Sequence, residues 1–338
     1  MKTTDRPVCI FLGNKEKIRT VYNSDITDAL VKSAEIDADK VFTHEDVIAA
    51  PEVFSETKYI FSTWGMPALS EEEIRRYLPR LKAVFYAAGT VQQFARPFIA
   101  CEVDVFSAWA ANAVPVAEVA ASEILLANKG FFRREVKSRA DWQNDDRERL
   151  YPGNFRTRVG ILGAGMIGKM VINHLRRHEL EIYVFDPFLP DEKAAELGVT
   201  KTGLHEVFAS CNVISNHLAN NEQTKGMIDR SCFDLMGKAA VFINTGRGAQ
   251  VNTADLIAAM KACPERLALL DVTDPDEPPA EESELYRLPN VRLTPHIAGS
   301  IGNEPRRMAE YMFAEYKAYS EGKPTKYKVT AKMLETMA

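Results

Sequence analysis

Cysteine is scarce and unpatterned: Cys9, Cys101, Cys211, Cys232 and Cys263 make an odd five, with no C-x-x-C pair among 338 residues. That excludes a disulfide-stapled miniprotein and reads as buried or free thiols in a reducing compartment. Positive charge is not in excess either. With 42 Lys and Arg against 47 Asp and Glu the net charge is −5, so a nucleic-acid-binding footprint is not expected. No long hydrophobic run opens the chain. Val8-Cys-Ile-Phe-Leu12 has five apolar residues, too few for a signal-peptide core or a membrane span. A soluble cytoplasmic protein without membrane contact is expected. Short repeats and low-complexity tracts are missing as well. What is there is an ordinary globular composition, 46% apolar and 26% charged, in a chain long enough for about two domains.

Short apolar runs alternate with helix-like stretches, the pattern of parallel strands joined by crossovers. In the first third they are Val8–Leu12, Tyr59–Ser62, Ala83–Tyr86 and Val103–Phe106. Ser70-Glu-Glu-Glu73 reads as a capping box opening a helix towards Tyr77. A long apolar-rich stretch from Val114 to about Lys137, with Pro115 in its first turn, predicts a helix of some six turns. The polar Asp141–Arg149 and the turn Pro152-Gly-Asn154 predict a surface connection. The strand rhythm then restarts with Val159–Leu162, Glu181–Phe185, Asn212–Asn216, Ala240–Ile243, Leu267–Asp271 and Val291–Leu293. These six runs suit a doubly wound nucleotide-binding sheet. A last amphipathic helix is expected over Arg306–Tyr319.

Within Val159-Gly-Ile-Leu-Gly163-Ala-Gly165-Met-Ile-Gly168 lies a G-x-G-x-x-G. Alone it is a weak signal, but here it follows a strand-like run and opens a helical pattern. Gly163 allows a tight turn, Gly165 lets the backbone approach a pyrophosphate, and Gly168 lets helix and strand pack closely. The helix N-terminus, at Met166 and Ile167, offers unpaired N–H groups and a positive dipole end. Asp186 follows Gly168 by 18 residues, near the spacing at which an acid bonds the ribose hydroxyls and repels a 2′-phosphate. NAD is therefore expected over NADP.

Ligands of doubly wound sheets bind beyond the carboxyl ends of the strands. Three consecutive late strand ends present Asn244-Thr-Gly-Arg247-Gly, Asp271-Val-Thr-Asp-Pro-Asp276-Glu277-Pro278 and Thr294-Pro-His296-Ile-Ala-Gly299. Singly, each charged residue is more often a solvated loop group. Together, beside a dinucleotide, an arginine, an acid and a histidine make a general acid/base site.

These stretches, with Asn112-Ala-Val-Pro-Val-Ala-Glu118 and Cys211-Asn-Val-Ile-Ser-Asn-His217-Leu218, resemble the NAD-dependent D-isomer-specific 2-hydroxyacid dehydrogenase family over nearly the whole chain. The resemblance implies two doubly wound parallel-sheet α/β domains. A Rossmann NAD-binding domain, residues 113–300, would be inserted into a flavodoxin-like substrate domain made of residues 1–112 and 301–338. It implies Arg247 gripping the substrate's carboxylate and C2 oxygen, His296 exchanging the hydroxyl proton, and a carboxylate orienting His296. Asp271 would bind the nicotinamide carboxamide, and Leu218, Thr245, Gly246, Arg247, His296 and Gly299 would line the cofactor. Trp64, Gly89 and Thr90, with Arg247 and His296, would meet the substrate. A homodimer through the cofactor domain is also implied.

The family's acid lies five residues after the aspartate, which is Asp276 here. A proline usually follows that acid, and Pro278 follows Glu277 instead. Register favours Asp276. The substrate-side stretch Ser62-Thr-Trp64-Gly65 carries no cation, which points away from a phosphorylated substrate. The expected function is NAD-dependent interconversion of a small non-phosphorylated 2-keto acid and its D-2-hydroxy acid. The alternative is an NAD(H)-sensing, corepressor-like scaffold with little turnover. No metal is expected: His174 and His178 lie one helical turn apart without the glutamate of H-E-x-x-H.

Overall fold

The computed structural model describes residues 6–133, 138–143 and 150–335. The chain divides into two compact units, Met1–Ala113 with Ser300–Ala338, and Val114–Gly299.

The first unit is built on β1 (Cys9–Leu12), β2 (Val41–Phe42), β3 (Tyr59–Ser62), β4 (Ala83–Tyr86) and β5 (Asp104–Ser107). Strand order is β5-β4-β3-β1-β2, all parallel, and Lys328–Val329 adds an antiparallel edge to β5. This is the flavodoxin-like winding. Register places Phe61, Phe85 and Phe106 side by side on three neighbouring strands. Their rings stack at 5.4 and 5.0 Å. Tyr316 from the helix Pro305–Ser320 meets Phe61 and Phe85 edge-on at 5.3 and 5.7 Å. Such contacts add to the area buried by each ring, and they bring the end of the chain back onto the first sheet. The capping box forms as expected, with Ser70 and Glu73 bonding each other's backbone N–H at the start of Glu71–Tyr77.

The second unit holds seven parallel strands: β6 (Arg158–Leu162), β7 (Glu181–Phe185), β8 (Thr200–Lys201), β9 (Val213–Asn216), β10 (Val241–Asn244), β11 (Leu267–Leu270) and β12 (Val291–Leu293). Their order, β12-β11-β10-β9-β6-β7-β8, runs outwards in both directions from β6. This is a Rossmann winding with its switch point between β6 and β9. Both faces are covered: Val159, Ile161, Val241 and Ile243 pack into one cluster, Leu162, Ile214, Phe242 and Leu270 into another.

The long helix differs from expectation. It runs Trp109–Asn128, so Pro115 lies inside it and not in its first turn. The alanine-rich Ala108–Ala113 stretch is buried and supports helix before the proline. The missing N–H of Pro115 falls beside the boundary between the two units. It also ends at Asn128, short of the expected Lys137, because Gly130 at φ +71 turns the chain into the 3-10 turn Phe131–Arg133; Lys137 itself lies outside the described residues. In the polar connection, Arg139–Gln143 forms a short helix, and 144–149 are again outside. By length and apolarity Trp109–Asn128 could cross a membrane, but Ala117, Ala120, Ala121, Ile124 and Ala127 pack into the second unit's core.

The same helix carries an acid. Oε2 of Glu123 is buried without a hydrogen-bond partner. Burial, with the charge of Asp271 adding, pushes its carboxyl up to about 7. The folded protein thus holds a proton that the unfolded chain releases near 4.5. Stability contributed at low pH is lost as pH rises through that window. Glu123→Gln is expected to melt with the parent near pH 4.5 and several degrees above it at about pH 8. Thermal denaturation followed by circular dichroism across that range checks this; parallel curves would contradict it.

Candidate active site

The glycine motif is shaped by close approach. Gly163 has φ +88, and a Cβ there would lie 2.7 Å from the carbonyl oxygen of His217. A Cβ on Gly168 would lie 2.0 Å from the Gly163 oxygen, while one on Gly165 would meet nothing within 4 Å. So Gly163 seats the turn against β9, Gly168 lets the helix begin beneath it, and Gly165 faces open space. The helix Met166–Leu175 starts there with no side-chain cap. Its first N–H groups are left for an anion. Asp186, after β7, accepts from the Ala164 N–H at 2.7 Å and from the Phe188 N–H at 2.8 Å, tying the strand end to the glycine turn.

At the end of β9, His217 is buried with Nε2 on the Ser215 hydroxyl at 2.9 Å and Nδ1 unpartnered. Burial holds it down to about 4, so it stays neutral near pH 7. Leu218 donates its N–H to Asn216 Oδ1 at 3.2 Å. At the end of β10, Gly246 donates its N–H to Asn244 Oδ1 at 3.1 Å. The Thr245 hydroxyl is buried and unpartnered. Arg247 is largely buried, and Nη1 donates to the Gly246 carbonyl at 2.8 Å. Burial lowers its guanidinium's proton affinity and the nearby charge of Glu277 opposes this.

Asp271, at the end of β11, holds the next loop. Its Oδ1 accepts from the Thr294 hydroxyl at 2.6 Å and the Ile297 N–H at 2.8 Å. Its Oδ2 accepts from the Ala298 N–H at 2.8 Å. The resemblance assigned Asp271 to the nicotinamide carboxamide, yet here its carboxylate brackets His296. That residue sits at φ +53, a left-handed conformation that costs a non-glycine residue about 1–3 kcal/mol. Three hydrogen bonds to a charged group, at about 1.5–3 kcal/mol each, exceed that cost. Gly299 closes the loop and the unit.

The acid that reaches His296 is Glu277, not Asp276. Glu277 Oε1 meets Nδ1 of His296. A carboxylate can only accept, so Nδ1 carries the proton and Nε2 is left free. The reason lies in the turn. The Thr273 hydroxyl donates to the Asp276 carbonyl at 2.6 Å, and the Thr273 N–H reaches Glu277 Oε2 at 3.4 Å. This turns the Glu277 carboxylate towards His296; Asp276 and Glu277 are both exposed, and it is this direction that separates them. Pro278 after Glu277 was the sequence signal for this, against the register count.

Thus Arg247, Glu277 and His296 come together within the second unit, at the ends of β10, β11 and β12. Trp64, Gly89 and Thr90 belong to the first unit. Trp64 follows β3 and is partly buried against the core. Gly89 and Thr90 follow β4, and the Gly89 carbonyl accepts from the Ser107 hydroxyl. The buried amides Asn216, Asn244 and Gln250, which tie the strand ends together, were not picked out by sequence reasoning. Two of them end apolar strands at matching register. Among the described residues no cluster of three His, Cys, Asp or Glu could hold a metal.

A profile of the D-isomer specific 2-hydroxyacid dehydrogenase NAD binding domain matches residues 122–298, just over half of the chain. The chain belongs to this family. YoaD of Bacillus subtilis (strain 168), named after the same family, is 34% identical over 191 residues, 54% of this chain and 55% of YoaD. The D-3-phosphoglycerate dehydrogenase of Archaeoglobus fulgidus is 30% identical over 177 residues, 52% of this chain and 33% of that protein. The chain thus spans about half or less of the length of these relatives. In fold it is similar to the D-mandelate dehydrogenase of Rhodotorula graminis, with TM-score 0.80, 19% identity, and 96% and 98% of the two chains covered.

The NAD-binding domain of this dehydrogenase family fits the residues found here. The uncapped helix end, the open space at Gly165, the carboxylate of Asp186 and the orphaned Thr245 hydroxyl suit pyrophosphate, ribose and nicotinamide-side contacts. The glycines separate two effects. Gly165→Ala is expected to keep the parent's melting temperature and weaken NADH binding at least about tenfold. Gly168→Ala loses both stability and binding. Fluorescence titration with NADH beside thermal melts checks the pair.

Proposed function

We propose that this protein interconverts a small non-phosphorylated 2-keto acid and its D-2-hydroxy acid, with NAD as hydride carrier and His296 as acid/base. The observation that carries the reading is the joining of Arg247, Glu277 and His296 at the ends of three successive strands, β10, β11 and β12, of the parallel sheet whose β6 end carries the glycine turn.

When bound, the nicotinamide supplies or accepts the hydride at C2. Arg247, in a largely desolvated position, presents its planar fork of donors to the substrate's carboxylate and C2 oxygen. Glu277 fixes the His296 ring by accepting from its Nδ1–H. Nε2 takes the hydroxyl proton in oxidation and returns it in reduction. The left-handed backbone of His296, held by Asp271, sets the direction of the ring. His217, neutral and buried, takes no part in proton transfer.

Substrate contacts are assigned to Trp64, Gly89 and Thr90 together with Arg247 and His296. Neither Ser62–Gly65 nor Tyr86–Val91 contains lysine or arginine, and a phosphate would need such cations. This favours glyoxylate-, hydroxypyruvate- or pyruvate-like acids over a phosphorylated one. A cytoplasmic homodimer paired through the second unit accompanies this reading. The exposure of Phe131, Trp142 and Phe155 in that unit is consistent with it.

Loss of NADH absorbance with a panel of 2-keto acids, a phosphorylated hydroxypyruvate included, tests the function. Turnover of at least one non-phosphorylated acid is expected. His296→Ala should lower kcat at least about a hundredfold and leave NADH affinity within about threefold. Parent protein that binds NADH and reduces none of the acids would overturn the reading.

A further inference from the structure

Gln250 lies in the short 3-10 turn Gly248–Gln250 that follows Arg247, and it is 0% exposed. Its carboxamide uses every hydrogen bond it can make. Oε1 accepts from Asn216 Nδ2 at 2.6 Å and from the Arg247 N–H at 3.3 Å. Nε2 donates to the Leu218 carbonyl at 2.7 Å and the Ala219 carbonyl at 2.9 Å. The amide can stand only one way round. Reversed, it would set an oxygen against two carbonyls and an NH2 group against two donors.

Asn216 and Asn244, the last residues of β9 and β10, face each other in register and are joined at 3.0 Å. Asn244 also donates to the Arg247 carbonyl at 3.1 Å. Both peptide groups of Arg247 are therefore held by buried amides. A Cβ on Gly246 would lie 3.1 Å from Gln250 Oε1, so the arginine turn is also packed directly against it. The segment Leu218–Ala219, two strand ends away from β11, hangs on the other half of the same carboxamide.

We propose that Gln250 is a positioning residue that joins the Arg247 turn to the Leu218–Ala219 segment. Substrate grip and cofactor seat are thereby set as one unit. The inference rests on the proposed function for the role of Arg247, and on the NAD-binding domain for that of Leu218. A neutral amide is required, because only it offers two acceptor and two donor positions in this orientation. Leucine has the shape and leaves both loops unpaired. Glutamate has the shape and the acceptors, and it regains one donor only when protonated.

The full-length protein and its Gln250→Leu and Gln250→Glu variants are compared for NADH affinity by fluorescence titration and for steady-state constants with the best keto acid. In Q250L the keto-acid KM is expected to rise at least about tenfold and the NADH Kd at least about threefold, with the far-UV spectrum of the parent. In Q250E NADH affinity should recover as pH is lowered, a recovery that Q250L lacks. A merely structural residue would lower Tm and leave both constants of the folded protein within about twofold of the parent in both variants; that result overturns the proposal. If Q250L does not fold, Q250E at low pH carries the test. A parent that binds NADH without turnover would sink the proposed function alone, and the NADH arm would still decide whether Gln250 ties the cofactor seat.

Discussion

A single buried carboxylate, that of Asp271, holds the histidine loop in its working shape. Two peptide N–H groups and a hydroxyl converge on it from Thr294, Ile297 and Ala298. The residue between these donors, His296, sits in a backbone conformation that it would not keep unaided. With the backbone fixed, the ring has one direction in which its Nδ1–H finds Glu277, and Nε2 is the nitrogen left for chemistry. The Thr273–Glu277 turn, closed by its own hydroxyl bond, presents that acid. Loss of the Asp271 grip would release the loop, the ring and its partner together.

The uncapped helix end and the amides at the ends of β9 and β10 supply fixed polar groups without charge. The glycine turn leaves a helix end uncapped, a standing partial positive charge that water would otherwise satisfy. The amides at the ends of β9 and β10 are fully buried and paired with one another. Such networks are rigid because breaking any member leaves a desolvated polar group. Arg247 is the exception, a charge kept largely out of water. Its desolvation favours an anionic partner, which suits a substrate carboxylate.

Much of this was legible in the chain because strand ends and their sequels are local signals. The apolar runs placed ten of the strands within a residue or two, and the glycine spacing located the tight turn between β6 and the helix after it. Strands of two residues, such as Val41–Phe42 and Thr200–Lys201, have no period to read and were missed. Pro115 misled because a proline in a first turn and one inside a helix give the same local sequence. What decides between them is the buried alanine face before it. The choice between Asp276 and Glu277 depends on how a turn folds back, which register alone does not specify. The role of Gln250 has no local signal, since it arises from the ends of β9 and β10 meeting in space.

The joined Glu277–His296 pair is the central claim, and comparing Glu277→Gln with Asp276→Asn for kcat/KM on one keto acid tests it most directly. Glu277→Gln is predicted to lose at least about a hundredfold, and Asp276→Asn to stay within about threefold of the parent, with NADH affinity preserved in both. The reverse ranking, or two variants equally active, would contradict the assignment of Glu277 as the partner of His296.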